Sequence, residues 1–131
     1  MSENTYRPGQ LTEGWRWTLA VGWALLIPAL LALADAANSF GKPTWWLSSS
    51  ATVSWISPLP FVAPLLVACA AAANWRRWHI VAALGVIALG LFAVMDAHRS
   101  PSVAVGEAVL AGAGALTSIA CLAGRVRRAG A

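Results

Sequence analysis

The chain has 131 residues, a formal net charge of +4 and a pI near 10.1; 59% of its residues are hydrophobic and only 11% charged. Soluble domains carry about 25% charged residues, so the composition argues against an ordinary soluble domain, and four membrane spans would leave no room for a separate catalytic one. The cations stand in short tails and turns between apolar runs. That pattern argues against nucleic acid and for the lipid bilayer as a partner.

In chain order, residues 1–14 are polar and read as a cytoplasmic tail. Trp15, Arg16 and Trp17 follow, an aromatic and basic group of the kind that sits at a membrane interface. A first span is expected over residues 17–36, with Pro28 inside it to kink the helix. Ala34-Asp35-Ala36 resembles a signal-peptidase site, but the apolar run is longer than the 7–15 residues usual in a signal peptide. The segment therefore reads as a retained span.

Residues 38–54 form a loop in which Trp45 and Trp46 are expected as interfacial anchors. A second span is expected over residues 55–73. Pro58, Pro60 and Pro64 make its first half irregular, and irregular backbone at membrane depth must face protein or a wet cavity. Trp75 and Trp78 bracket Arg76 and Arg77 in a tight turn and read as further anchors. Spans over residues 78–96 and 102–124 follow, and residues 125–131 form a basic tail.

The fold expected is therefore an all-α integral membrane protein, a four-helix transmembrane bundle over residues 15–124. Arg7, Arg16, Arg76, Arg77, Arg125, Arg127 and Arg128 fall on one side; Lys42 and Arg99 fall on the other. The positive-inside rule puts both termini in the cytoplasm. Eight arginines against one lysine suit a GC-rich genome, hence a bacterial inner membrane. Cys69 and Cys121 read as small packing residues, since a cytoplasmic disulfide is rare.

Ionisable residues near the spans are few. Glu107 lies about one turn inside the fourth span, roughly 7–8 Å below its outer end. Carboxylates at such depth face a bundle interior or a watery cavity. Asp35, Asp96, His98 and Arg99 lie at the same outer level, so the five form a candidate proton or cation cluster. The competing reading is structural, with Glu107 pairing with Arg99. No catalytic motif, metal site or cofactor site is legible, so no enzymatic activity is expected.

The fourth span is thin. Ala104, Ala108, Gly112, Gly114 and Ser118 offer small surfaces that let helices approach closely, and packing is a main attraction between helices in lipid. The leading expectation is a non-catalytic accessory or assembly subunit that works by helix association, with other membrane subunits or with copies of itself. The alternatives are a small proton- or cation-coupled transporter using Glu107, and a phage-type holin or exclusion protein.

Overall fold

In a computed structural model of the protein, the residues described are 7–46 and 55–127. The expectations that fall on the first six residues, on the serine-rich loop at 48–50 and on Arg128 lie outside them. Among the described residues the chain is helical, with one isolated antiparallel bridge between Leu11 and Arg125.

The first apolar run forms two helices, α1 (Glu13–Ala24) and α2 (Leu26–Ser39). The break has a simple cause. Pro28 has no N–H to donate to the carbonyl of Ala24, four residues back. The bonds on either side persist, Leu25 N to Val21 O at 2.9 Å and Ala29 N to Leu25 O at 3.3 Å. The two helices are thus one kinked rod of 27 residues, about 40 Å long.

α3 (Leu59–Ala72) has 14 residues and measures about 21 Å, less than the roughly 30 Å of a hydrocarbon core. It is shorter than the expected second span because the proline-rich entry at 55–58 forms turns. Pro60 stands in the first turn, where its missing donor costs nothing. Pro64 lies inside the helix, and both prolines are fully buried. α4 (Trp78–Ala97) and α5 (Pro101–Cys121) are long, and a 3-10 turn at Leu122–Gly124 extends α5. Three helical segments are thus long and apolar enough to cross a membrane: Glu13–Ser39, Trp78–Ala97 and Pro101–Gly124.

The segments pack in a closed ring. α4 lies along α5, α5 along α1 and α2, those two along α3, and α3 along α4. The side-chain distribution is inverted relative to a soluble bundle. Leu84, Ile87, Leu91 and Val94 of α4 point outward, as do Val105, Val109 and Leu116 of α5, each more than half exposed. Many interior positions are small: Ala20, Ala34, Ala71, Ala82, Ala93 and Ala111. A soluble protein rarely exposes an apolar surface of this extent. In lipid, large residues face the hydrocarbon and small ones let backbones approach.

Large side chains enter the core at three tryptophans. Trp23 is fully buried, and its Nε1 donates to Ser118 Oγ at 3.0 Å. Its ring fills the space left by two glycines. A Cβ on Gly85 would stand 3.0 Å from the indole, and so would one on Gly114. Trp46 and Trp78 are buried as well, at 2% and 1% exposure. Both are turned into the bundle rather than outward. Trp15, Trp17 and Trp75 are exposed.

One end of the bundle is tied by backbone and amide bonds. The Gly9 N–H donates to Val126 O and the Val126 N–H to Gln10 O, at 3.0 and 2.8 Å. Asn74 follows α3 in a left-handed conformation, φ +50°, and the Trp75 N–H reaches back to Ala70 O at 2.9 Å. This is the Schellman ending, with asparagine where glycine is usual. It aims the Asn74 amide at Leu11, accepting from the Leu11 N–H at 2.9 Å and donating to its carbonyl at 3.1 Å. The segments before α1, after α3 and after α5 thereby meet at one end.

Candidate functional site

The opposite end holds the deepest charges. α2 also closes with a Schellman ending: Gly41 has φ +69° and the Lys42 N–H donates to Ala37 O at 2.9 Å. Its C′ position needs a positive φ, which glycine adopts without penalty. The turn sends Pro43–Trp46 back toward the bundle. Trp46 enters edge-on to Phe61 of α3, with centroids 5.6 Å apart, and Trp45 stacks on Phe92 of α4 at 5.4 Å. The two aromatic residues thus form a plug over this end.

Beneath the plug lie Glu107 and Asp96, at 2% and 0% exposure. Glu107 Oε1 accepts from Trp46 Nε1 at 3.1 Å. Asp96 Oδ1 accepts from the Trp45 backbone N–H at 3.3 Å. The two carboxyl groups are within hydrogen-bonding range of each other. Among the described residues no donor reaches Asp96 Oδ2 or Glu107 Oε2. Thr44 is buried nearby in the sequence, and its Oγ1 also lacks a partner among them.

The five residues expected to cluster do not all meet. Asp96 and Glu107 come together, and Arg99 is close enough to act on Asp96 electrostatically. Arg99 itself is exposed, as are His98 and Asp35. Among the described residues no group of three or more His, Cys, Asp or Glu side chains is placed to hold a metal ion. The carboxyl pair is instead held by donors from the plug. Its Trp45 and Trp46 partners were not legible as such, because a Trp pair beside a membrane span reads equally well as an interfacial anchor.

The small residues of α5 divide between two faces. Ala104 and Gly114 are buried, and Ser118 is half-buried under Trp23. Ala108 and Gly112 are exposed on the outer face, and a Cβ on Gly112 would meet nothing within 4 Å.

A kinked apolar rod and two further long apolar helices give an all-helical chain with three segments long and apolar enough to cross a membrane. Comparison with known protein families, with curated proteins and with solved structures finds no match for the chain.

Proposed function

We propose that this protein is a four-span bundle of a bacterial inner membrane, with both termini in the cytoplasm, that acts by associating with other membrane helices. The carrying observation is the outer face of α5. Val105, Ala108, Val109, Gly112 and Leu116 lie exposed there, and the space over Gly112 is open. A helix thin on its lipid-facing side forfeits van der Waals contact with lipid and regains it against a second helix. The short α3 supports a crossing partnered by its neighbours, since a helix shorter than the hydrocarbon core is accommodated by bilayer thinning or association. The basic end carries the tied tails, which supports the cytoplasmic assignment of both termini.

Site-specific crosslinking tests this reading. Cysteine placed at Gly112 in the full chain, within native membranes, is expected to crosslink to a second copy or to a partner subunit. Gly112→Leu is expected to abolish the higher-mass species while the folded chain remains. Only uncrosslinked chain at every position along the Val105–Leu116 face would refute it.

A second reading rests on Asp96 and Glu107. Two carboxyl groups in contact at membrane depth are a costly arrangement, and intramembrane carboxyls commonly carry protons or ions. A single proton shared between them would relieve the repulsion of two adjacent carboxylates. In this reading the Trp45–Trp46 plug opens to exchange that proton with the outer side. Proton flux in reconstituted vesicles that is abolished by Glu107→Gln would favour it; flux unchanged by that substitution would remove Glu107 from any such mechanism.

A further inference from the structure

The basic end of the bundle carries a depression. Two overlapping clefts, of about 410 and 520 Å³, share Pro8, Gly9, Arg76 and Arg125. Arg77, Trp75 and His79 line one and Arg127 lines the other. Among the described residues no acidic side chain lines either. The ties described above build the depression. Gly9 is held against the 125–126 segment, and a Cβ there would sit 3.5 Å from Arg76 O and 3.7 Å from an Arg125 guanidinium nitrogen. Four guanidinium groups are thereby gathered from the α3–α4 turn and the segment after α5.

A separate groove of about 370 Å³ runs between α4 and α5 on the outer surface, lined mainly by Trp78, Ala82, Ala83, Val86, Ala115 and Ile119. Small side chains make it: Ala82, Ala83 and Ala115 stand where larger residues occupy the rest of the belt. The groove also includes His79, which it shares with one basic cleft, and Leu122, which it shares with the other. The apolar groove and the two basic clefts thus adjoin at His79 and Leu122.

We propose that this combined site binds one anionic phospholipid, an acyl chain in the α4–α5 groove and the phosphate headgroup against Arg76, Arg77, Arg125 and Arg127. The inference rests on the membrane reading of the bundle. Charge complementarity selects the headgroup. Guanidinium groups bind phosphate through paired hydrogen bonds, and basic pockets between helices at a cytoplasmic face suit anionic headgroups. Trp75 adds an amphipathic ring at the rim, 55% exposed, at the level where such rings meet headgroups. His79 sits at the junction, with a buried Nδ1 that lacks a partner among the described residues. The cleft alone would suit a free phosphate; the adjoining apolar groove favours the lipid.

Native mass spectrometry of the full chain in mild detergent tests the site, with phosphatidylglycerol, phosphatidylcholine or inorganic phosphate added. Phosphatidylglycerol is expected to stay bound, as one molecule per chain, at activation energies that strip phosphatidylcholine. Arg76→Gln with Arg125→Gln is expected to weaken it roughly thirty-fold, from about 1 kcal/mol per cation. Arg99→Gln, at the opposite end, is expected to change nothing. Ala83→Trp fills the groove without touching the cations and is expected to weaken phosphatidylglycerol while leaving phosphate unaffected. Phosphate bound as tightly as the lipid, or lipid retention indifferent to Ala83→Trp, would overturn the proposal in favour of a free anion. Flotation with phosphatidylcholine vesicles separates the two levels of failure. Protein that does not float overturns the membrane reading and this site together; protein that floats yet shows no preference for the anionic lipid overturns this site alone.

Discussion

Glu107→Gln gives the most direct test of the carboxyl pair. In the wild type Glu107 Oε1 already accepts from Trp46 Nε1 at 3.1 Å, while Oε2 and Asp96 Oδ2 have no donor among the described residues. Glutamine keeps the first bond, because its carbonyl oxygen accepts as the carboxyl oxygen did. Its amide nitrogen takes the place of Oε2 and brings a donor to the side of Asp96. A buried unsatisfied acceptor costs about 1–3 kcal/mol, and a hydrogen bond made contributes about 0.5–1.5. If the wild-type pair shares a proton, the exchange is neutral; if it does not, the variant gains about 2 kcal/mol. Glu107→Ala behaves differently. It strands the Trp46 indole and opens a cavity, so a loss of about 2–4 kcal/mol is expected. Unfolding by a denaturing detergent, followed by circular dichroism and by Trp fluorescence, measures both. A Gln variant as unstable as the Ala variant would refute the facing geometry of Asp96 and Glu107.

The remaining predictions concern the bundle's other joints. Gly85→Val should destabilise the fold by about 1–3 kcal/mol through overpacking, because even its Cβ would meet Val67 at 2.9 Å and the rigid Trp23 ring at 3.0 Å; a second-site Trp23→Phe should recover part of that loss in the same unfolding assay. Trp23→Phe alone removes the donor to Ser118 Oγ and should cost about 1 kcal/mol, although Ser118 keeps its own bond to Gly114 O at 2.8 Å. Asn74→Ala removes both bonds to Leu11 and places a residue with a Cβ and no capping amide at φ +50°. Hydrogen exchange of the Leu11 and Val126 amides should accelerate while the centres of α4 and α5 stay protected; uniform loss of protection would show that the tie is not local.

The helical class and the apolar segments were legible because hydropathy runs and turn residues are local signals. The break near Pro28 was legible for the same reason, since a proline's missing donor acts four residues away on the same helix. The carboxyl pair was partly legible. Asp96 and Glu107 sit on adjacent helices joined by a short turn, so an antiparallel hairpin brings them to one level. Asp35 and His98 share that level but lie on outward faces, and level along a helix does not fix face around it. The tryptophans were least legible. Trp23, Trp46 and Trp78 are buried for three separate reasons: facing glycines, a returning loop, and packing at the start of α4. None of these is written next to the tryptophan in the chain.

The small residues of α5 show how spacing decides what a stripe can do. Each residue turns the helix by about 100°, so a step of four advances the stripe by about 40°. Ala104, Ala108 and Gly112 therefore rotate through about 80° in two steps. The first is buried, and the other two are exposed. The interior seam instead alternates three and four: Ala104, Glu107, Ala111, Gly114, Ser118 and Cys121, all buried or half-buried. That alternation is the signature of a helix packed lengthwise against neighbours. α5 is consequently thin on two sides for two purposes. Its inner seam admits Trp23 and the carboxyl at Glu107; its outer stripe, with Gly112 open at its centre, has no neighbour among the described residues. Closing the outer stripe with Gly112→Leu should leave monomer stability within about 0.5 kcal/mol, since it is a surface change away from the core, while removing any association through that face. Equal damage to folding and to association would mean that the two sides of α5 are not independent.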